Sequence, residues 1–567
     1  MKFFAPLNSE IQPSLQEIEV ATFFQLPHFQ IIGLPGPEVA EARERIRAAI
    51  EASGFEFPRR RVVVNLSPAS IRKQGTGLDL AMALALLRVS WPNSSSSTQR
   101  LAPGRNASGS AIRIGAWGEL SLEGNIKPAG QLTRVIHAAW NGGLHYLILS
   151  RTEMSGALES LELILRVRME MSVSAREDRF PGDPPQLIAV DHLREAWDIL
   201  AHRAQGDPVP SFSHSGLQSG GYLQKSTVFE EKSVPPSLMP LSPLLQRMVC
   251  AAVAGEHHIF LLGPKGAGKS HALEWLIALQ MPPVSWDQLQ NQLIQEMRPY
   301  FLAERPYPSN RPTRPVRRIS PQVKPASLIG SARGNKIRPG ELALAHGGIL
   351  VADEFLEWPR DSREILREPL ERGKVILSRV CGAVELPARF QFSATGNLCP
   401  CGGWPSFIPM PSDQEGKKIH RCRCPTALRK KYLAKLSGPI MDRIDLVAWV
   451  FQCNGNSVEK NLECSGFENL LEKITQAQST LIHRWGSTPG TWDGAETEAL
   501  IRAQRNFHLN LIKYPELSLR SRHKILRLAL TFAALDGCEE PNSSHFSESY
   551  FYRSEQVMNS LFFESSD

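Results

Sequence analysis

The sequence predicts a multidomain α/β protein that ends in a helical segment, and three observations carry that expectation. Short β-branched runs alternate with helix-spaced runs through the amino-terminal part of the chain. An apolar run at 259–262 leads through a glycine-rich loop into a helix-spaced stretch. Beyond Gly494 the apolar residues recur at three- and four-residue intervals. At 567 residues the chain has room for about three to four domains.

The elements follow in order. VVVNL (62–66) is short, β-branched and bounded by Arg and Ser-Pro, as a strand is, whereas AEARERIRAAIEASG repeats Ala and Ile at helical spacing and stops on Gly54, a helix cap. WPNSSSSTQRLAPGR (91–105) is a polar insert. Between 203 and 240 Ser, Gly and Pro dominate without sustained periodicity, the composition of a linker. The expected divisions are an amino-terminal α/β domain at 1–202, the linker at 203–240, a nucleotide-binding core at 241–453, and 454–567. The last comprises a variable stretch to about Gly494, then the helices AETEALIRAQRNF and SLRSRHKILRLALTFAALDG.

Composition narrows the class. With 42% hydrophobic and 21% charged residues the chain is globular, and no apolar run approaches the roughly 20 residues needed to cross a bilayer. The start, MKFFAPLNSEIQ, is broken by Pro6 and Asn8 and lacks the apolar core of a secretory signal. These features predict a cytoplasmic chain with no membrane partner. The net charge of +7 decides little, but its distribution is uneven: residues 298–324 hold seven basic side chains against Glu304, and 417–435 hold eight with no acid. A solvated face is the ordinary reading of such runs; two of them near a nucleotide loop point to a polyanion.

The loop is LLGPKGAGKS (261–270), which fits G-x-x-x-x-G-K-[ST] between a strand-like and a helix-like run. The loop residues Gly263, Pro264, Lys265, Gly266, Ala267 and Gly268 would surround phosphates, with backbone N–H groups from all of them except Pro264. Lys269 would reach the β and γ phosphates and Ser270 would ligate Mg²⁺. Further on, GGILVADEF reads as a buried strand (349–352) ending in Asp353 and Glu354. Asp353 suits the Mg²⁺ shell and Glu354 suits polarising the attacking water. FQFSATGN (390–397) ends at the same sheet edge, where Asn397 could orient that water. ATP and Mg²⁺ are therefore the expected cofactors, and hydrolysis the expected reaction.

Nine cysteines in a chain expected to be cytoplasmic argue against disulfide staples. Four of them form Cys399-x-Cys401 and, after twenty intervening residues, Cys422-x-Cys424. Four thiolates match a closed, structural Zn²⁺ site; the alternative is four free thiols.

The runs PGELALAHGGILVADEFLEW, REPLERGKVILSRVCGAVELPARFQFSATGNLCPCGG and SGPIMDRIDL resemble the magnesium-chelatase-related AAA+ ATPases of the ComM/YifB group. With the amino-terminal block the resemblance covers most of the chain. It implies an AAA+ P-loop ATPase core with a carboxy-terminal helical lid, assembled as a homo-oligomeric, hexameric ring. It also implies a helicase or translocase acting on single-stranded or branched DNA, in branch migration and the integration of incoming DNA during natural transformation. The hairpin-like GKVILSRVCGAVELP (373–387) would face the pore. In the family SGPxxDRxD carries an arginine finger, matched here by Arg443; a guanidinium supplied in trans stabilises charge on the transferred phosphoryl group. The alternative pairs Arg443 with Asp442 or Asp445. The family's sensor-two arginine is matched by Arg520, with Arg522 and Arg527 as alternatives.

Two departures bear on coupling to substrate: the family's A-R-T-I-A-D-L is ALTFAAL (529–535), and RPVRRISPQVK (314–324) stands in place of a P-H-H element. GELSLEGNIKPAGQLTRVIHAAWNGG (118–143) resembles the lysine-bearing segment of Lon-type proteases. The lysine position falls on Val135 and the serine position, through GTGLDLAMALALL, on Gly77. Neither residue can form a Ser–Lys dyad, so the resemblance implies a Lon-protease-like domain lacking catalytic residues, suited to oligomer contacts or substrate engagement. The competing functions are a chelatase motor and an ATP-dependent protein remodeller.

Overall fold

The computed structural model describes residues 2–7, 13–68, 73, 75–90, 112–173, 183–204, 241–297, 314–333, 336–379, 382–404, 422–450, 467–503, 507, 510–511 and 517–553. The polar insert at 91–105, residues 205–240 of the expected linker, and 298–313 and 417–421 of the two basic runs lie outside the described residues.

The first unit holds β1 (Lys2–Leu7), β2 (Ser14–Phe23), β3 (His28–Ile32), β4 (Arg61–Ser67), β5 (Arg113–Trp117), β6 (Glu119–Leu120), β7 (Ile126–Lys127), β8 (Tyr146–Ser150) and β9 (Gln186–Val190). Seven of these form one sheet in the order β3-β4-β2-β1-β5-β8-β9, while β6 and β7 pair separately. On β4 the residues Val62, Val64 and Leu66 are buried and alternate with half-buried neighbours, the period of two expected where one strand face meets a core. Among the described residues five α-helices pack here: α1 (Pro37–Ala52), α2 (Asp79–Ser90), α3 (Leu132–Asn141), α4 (Met154–Val173) and α5 (Leu193–Ala204). Val39, Ala42, Ile46, Ala49 and Ile50 form the buried face of α1 at helical spacing.

Both positions compared above with a protease dyad are enclosed. A Cβ on Gly77 would lie 2.4 Å from the Trp117 ring, and Val135 is fully buried within α3.

The second unit is built on β10 (Ile259–Leu262), β11 (Val316–Ile319), β14 (Ile349–Ala352), β17 (Gln391–Gly396) and β18 (Leu446–Trp449). They form a wholly parallel sheet in the order β11-β14-β17-β10-β18. Every residue of β10, β14 and β17 is buried; β10 and β14 are accordingly continuous apolar runs, whereas β17 alternates buried Gln391, Ser393 and Thr395 with Phe392, Ala394 and Gly396. The helices of this unit are α6 (Pro243–Gly255), α7 (Lys269–Ala278), α8 (Ser285–Gln295), the short α9 (Pro325–Ile329), α10 (Glu341–Leu344), α11 (Arg360–Glu364) and α12 (Arg367–Arg372), then α13 (Thr426–Leu433) and α14 (Gly438–Met441). Two hairpins, β12 (Gly330–Arg333) with β13 (Lys336–Pro339) and β15 (Lys374–Arg379) with β16 (Gly382–Pro387), lie side by side, with Ile337, Leu377 and Leu386 in their shared core.

The carboxy-terminal part corrects one expectation. The segment read as variable becomes, from Phe467, a nineteen-residue helix, α15 (Phe467–Trp485). It buries Phe467, Leu470, Ile474, Ala477 and Leu481 against α6 and against α17 (Leu519–Leu535). Its apolar residues do follow helical spacing, and the packing partners supply what a short isolated pattern lacks. Between these two lies α16 (Gly494–Ala503); α18 (Ser543–Phe551) follows, with Asn542 and His545 forming a capping box.

The two units meet through α8. Leu289 joins the core of the first unit, and the Glu296 carboxylate just beyond α8 accepts from the N–H groups of Thr133 at 3.0 Å and Arg134 at 2.9 Å. It thereby caps donors of the first turn of α3 that have no acceptor within the helix. Among the described residues no helix is long and apolar enough to cross a membrane.

Candidate nucleotide site

Strand register gathers the site at one sheet edge. β10 pairs with β17 so that Leu262 faces Gly396, and β14 pairs with β17 so that Ala352 faces Ala394. One step further, Gly263 begins the loop beside Asn397, and Asp353 stands beside Thr395. The Gly263 N–H donates to the Gly396 carbonyl at 3.2 Å. The Thr395 hydroxyl donates to Asp353 and accepts the Glu354 N–H at 3.1 Å. Thr395 is absent from the sequence reading; its position on the strand before Asn397 is the only local signal, and the register with β14 is what gives it a partner. Glu354 itself adopts a left-handed conformation, φ 48°, which turns the chain sharply at the strand end and leaves the carboxylates of Asp353 and Glu354 exposed.

The loop has the conformation an anion cradle requires. Gly266 and Gly268 take φ +75° and +89°, values that strain any side chain. Gly263 has a different reason: a Cβ there would lie 2.3 Å from the Val450 carbonyl. Ala267 is buried, Pro264 is half-buried, and Lys265 and Ser270 are exposed. The helix α7 begins at Lys269 with Gly268 as its cap and no side chain on its first donors, so those N–H groups can receive phosphate oxygens. The Lys269 ammonium is buried and donates to the carbonyls of Gly263 at 2.9 Å and Pro264 at 2.7 Å and to Asn397 Oδ1 at 3.2 Å. Burial lowers its pKa to about 8 against the opposing pull of Asp353 and Glu354. A cleft of about 510 Å³ opens beside the loop, lined by Lys265, Glu354, Asn397, Pro400, Lys431 and Lys435 among others.

Arg443 and Arg520 lie elsewhere. β18 runs parallel to β10 with Leu446 opposite Ile259. Arg443, three residues before β18, is therefore at the amino-terminal edge, while the loop leaves the carboxy-terminal edge. The strand between them spans about 13 Å. Arg443 donates to the Pro439 carbonyl at 2.5 Å and to Glu371; Arg520, near the start of α17, donates to the other oxygen of Glu371. The alternative pairing with Asp442 or Asp445 is not found: Asp445 is buried and bound by Lys524 at 2.6 Å. Arg527, an alternative to Arg520, donates instead to Thr497 Oγ1 at 2.9 Å and the Asp493 carbonyl at 2.8 Å.

Where the first basic run is described, its three arginines carry ion pairs and Lys324 is exposed. Arg314 pairs with Glu256, Arg317 with Glu341 and Arg318 with Glu274, each at 2.7 Å, so these guanidinium groups fasten the edge strand β11. The second run differs. Arg423, Lys430 and Lys431 are exposed, and Lys431 and Lys435 reach the cleft.

The cysteine pairs converge. Sγ atoms of Cys399, Cys401, Cys422 and Cys424 lie within 4.8 Å of one another, with Cys399–Cys401 at 3.3 Å and both Cys401–Cys422 and Cys422–Cys399 at 3.6 Å. A tetrahedron with zinc–sulfur arms of about 2.3 Å has edges of about 3.8 Å. N–H groups of Gly403 and Cys424 donate to Cys401 and Cys422 sulfurs at 3.4 Å each, a donor set that favours thiolate. The four residues fit Zn²⁺, and a closed four-thiolate shell would make such a site a clip rather than a reaction centre.

Three family models match this chain: magnesium chelatase subunit ChlI at 244–458, subunit ChlI of Mg-chelatase at 18–153, and the carboxy-terminal part of that subunit at 467–553. An uncharacterized protein of Mycobacterium tuberculosis is 27% identical over 552 residues, covering 95% of both chains. The uncharacterized protein YifB of Escherichia coli is 26% identical over 559 residues, covering 97% of this chain and 96% of its own. The competence protein ComM of Haemophilus influenzae is 25% identical over 553 residues, covering 96% and 95%.

Proposed function

Because the chain belongs to the ComM/YifB group of magnesium-chelatase-like AAA+ ATPases, we propose that it is a Mg²⁺-dependent ATP hydrolase whose active sites are completed between copies of itself in a ring, and that its substrate is DNA. In this reading Gly263 to Gly268 and the start of α7 hold the phosphates, and Lys269 exchanges its loop carbonyls for phosphate oxygens. Ser270 and Asp353 would hold Mg²⁺, which supplies charge neutralisation between the β and γ phosphates. Thr395 fixes the Asp353 carboxylate, Glu354 polarises the attacking water, and Asn397 orients it.

The observation that carries the ring is the placement of Arg443 and Arg520 on the sheet edge opposite Lys269. An arginine there is too far from its own chain's phosphates to stabilise the transferring group, and would serve a neighbour's, with Glu371 holding both guanidinium groups in place. The DNA substrate rests on the relative named as a competence protein, together with the exposed cations Arg423 and Lys430 and the exposed Arg338 on one of the paired hairpins.

Hydrolysis by the purified protein, with and without single-stranded and forked DNA at low and moderate salt, tests both parts. Salt-sensitive stimulation that disappears in Lys269→Ala and Glu354→Gln is the expected result. Robust hydrolysis indifferent to every DNA would reject the DNA motor in favour of protein remodelling.

A further inference from the structure

The four-cysteine cluster and the phosphate loop are in direct contact. The Lys265 N–H donates to the Gly402 carbonyl at 2.8 Å. Gly402 follows the ligand candidate Cys401, takes φ +74°, and lies so close to the Lys265 stem that a Cβ on it would be 2.4 Å from Lys265 Cγ. Its own N–H donates to the Cys399 carbonyl at 3.0 Å. The turn that brings two thiols together therefore also presents the acceptor that holds the loop.

A second connection runs through the strand. Cys399 is two residues after Asn397, the partner of Lys269, and Pro400, between the two thiols, lines the cleft beside Glu354. Past Cys424 the chain enters α13, which carries Lys431 to the same cleft, and Lys435, two residues beyond its end, lines it too. The thiol pairs belong to segments separated by twenty residues, 402–421. A metal joining them would hold both the 399–402 turn and the start of α13, and so two walls of the nucleotide cleft.

We propose that Zn²⁺ binding by Cys399, Cys401, Cys422 and Cys424 and nucleotide binding by the phosphate loop are thermodynamically linked, with the Gly402 carbonyl and Lys265 N–H as the joint. The inference rests on the nucleotide reading of the loop and adds a role for the cysteines beyond a remote structural clip. Linkage is reciprocal: if metal in the cluster favours the nucleotide-accepting loop, bound nucleotide tightens the hold on metal by the same factor.

The test uses the full chain. Zinc affinity is measured by competition with a chelator of known affinity, with and without saturating ADP and Mg²⁺, and the affinity for a fluorescent ADP analogue is measured on zinc-loaded and zinc-stripped protein. ADP should raise zinc affinity by about fivefold or more, zinc should raise ADP affinity by the same factor, and Lys269→Ala should abolish the effect of ADP on zinc. Gly402→Ala keeps all four thiols while pressing on Lys265; it should bind zinc one-to-one and lose the linkage. Equal zinc affinities with and without ADP, on protein that demonstrably binds ADP, would overturn the proposal, as would failure to take up one zinc per chain. If zinc-loaded wild type binds no nucleotide, the reading of the loop itself fails, and the missing binding signal identifies that failure.

Discussion

Arg443 and Arg520 meet on a single carboxylate: each donates to a different oxygen of Glu371. Glu371 lies in α12, immediately before the hairpin β15–β16, so one side chain joins the SGPIMDRIDL segment, the carboxy-terminal helix α17 and the base of a hairpin. Replacing Glu371 with Gln removes the charge that holds both guanidinium groups. The expected result is a fall in kcat of between about 10- and 100-fold, with KM for ATP within about twofold, as for a misplaced transition-state group. Steady-state kinetics at saturating DNA check this; an unchanged kcat would deny Glu371 a positioning role.

The proposed completion of the site by a neighbouring copy has a sharper consequence. Lys269→Ala and Arg443→Ala should each reduce hydrolysis by about 10³-fold or more, but an equal mixture of the two should recover part of the wild-type rate. Some interfaces in the mixture pair an intact loop with an intact arginine. Mixtures no more active than the separate variants would place both residues in one chain's site.

Lys269 sets a pH dependence. Its pKa of about 8 lies below the ordinary 10.5, and phosphate contact favours the ammonium, so nucleotide binding takes up a proton at higher pH. Affinity should therefore fall as pH rises through about 8, by up to tenfold per unit. Between about 8 and 10.5 the unfolded chain holds this proton more firmly than the folded one, so this group's contribution to stability rises with pH in that window. Nucleotide titrations from pH 7 to 9.5 test the first sign, with Lys269→Arg expected to show a flat profile.

The buried pair Lys524–Asp445 is a stability element. Lys524 donates to Asp445 Oδ1 and to the Arg443 carbonyl, both at 2.6 Å, and the His258 N–H donates to Asp445 Oδ2 at 2.9 Å. Burial opposes the Asp445 charge, but Lys524 and the two neighbouring histidines hold its carboxyl well below the usual range. Its stabilising contribution is thus present above about pH 4 and lost as pH falls further. Lys524→Met leaves that carboxylate unpaired and should destabilise the protein by about 3–5 kcal/mol, read from denaturant unfolding.

At Gly77 a serine cannot be accommodated without moving Trp117, whose ring would be 2.4 Å from the added Cβ. Gly77→Ser should lower stability by about 1–3 kcal/mol. Combined with Val135→Lys, which adds a buried ammonium, it should yield destabilised protein rather than peptidase activity, measured by thermal unfolding and cleavage of an unstructured protein.

What the sequence determined by itself is local. The phosphate loop, its flanking strand and helix, the Asp353–Glu354 pair and the spacing of the four cysteines are patterns of adjacent residues, and local backbone preferences are enough to place them. The amphipathic run of α15 was equally present as text, but its burial depends on α6 and α17, far away in the chain. Tertiary structure alone decided the partners. Thr395 meets Asp353 because β14 and β17 pair in one register, and Arg443 and Arg520 share Glu371 across three segments. Arg314, Arg317 and Arg318 are each matched by a carboxylate of another element, the Arg318 pair at the surface, and Gly402 closes on Lys265. Each of these contacts joins residues distant in the chain, and their energies depend on register and packing that no run of neighbouring residues encodes.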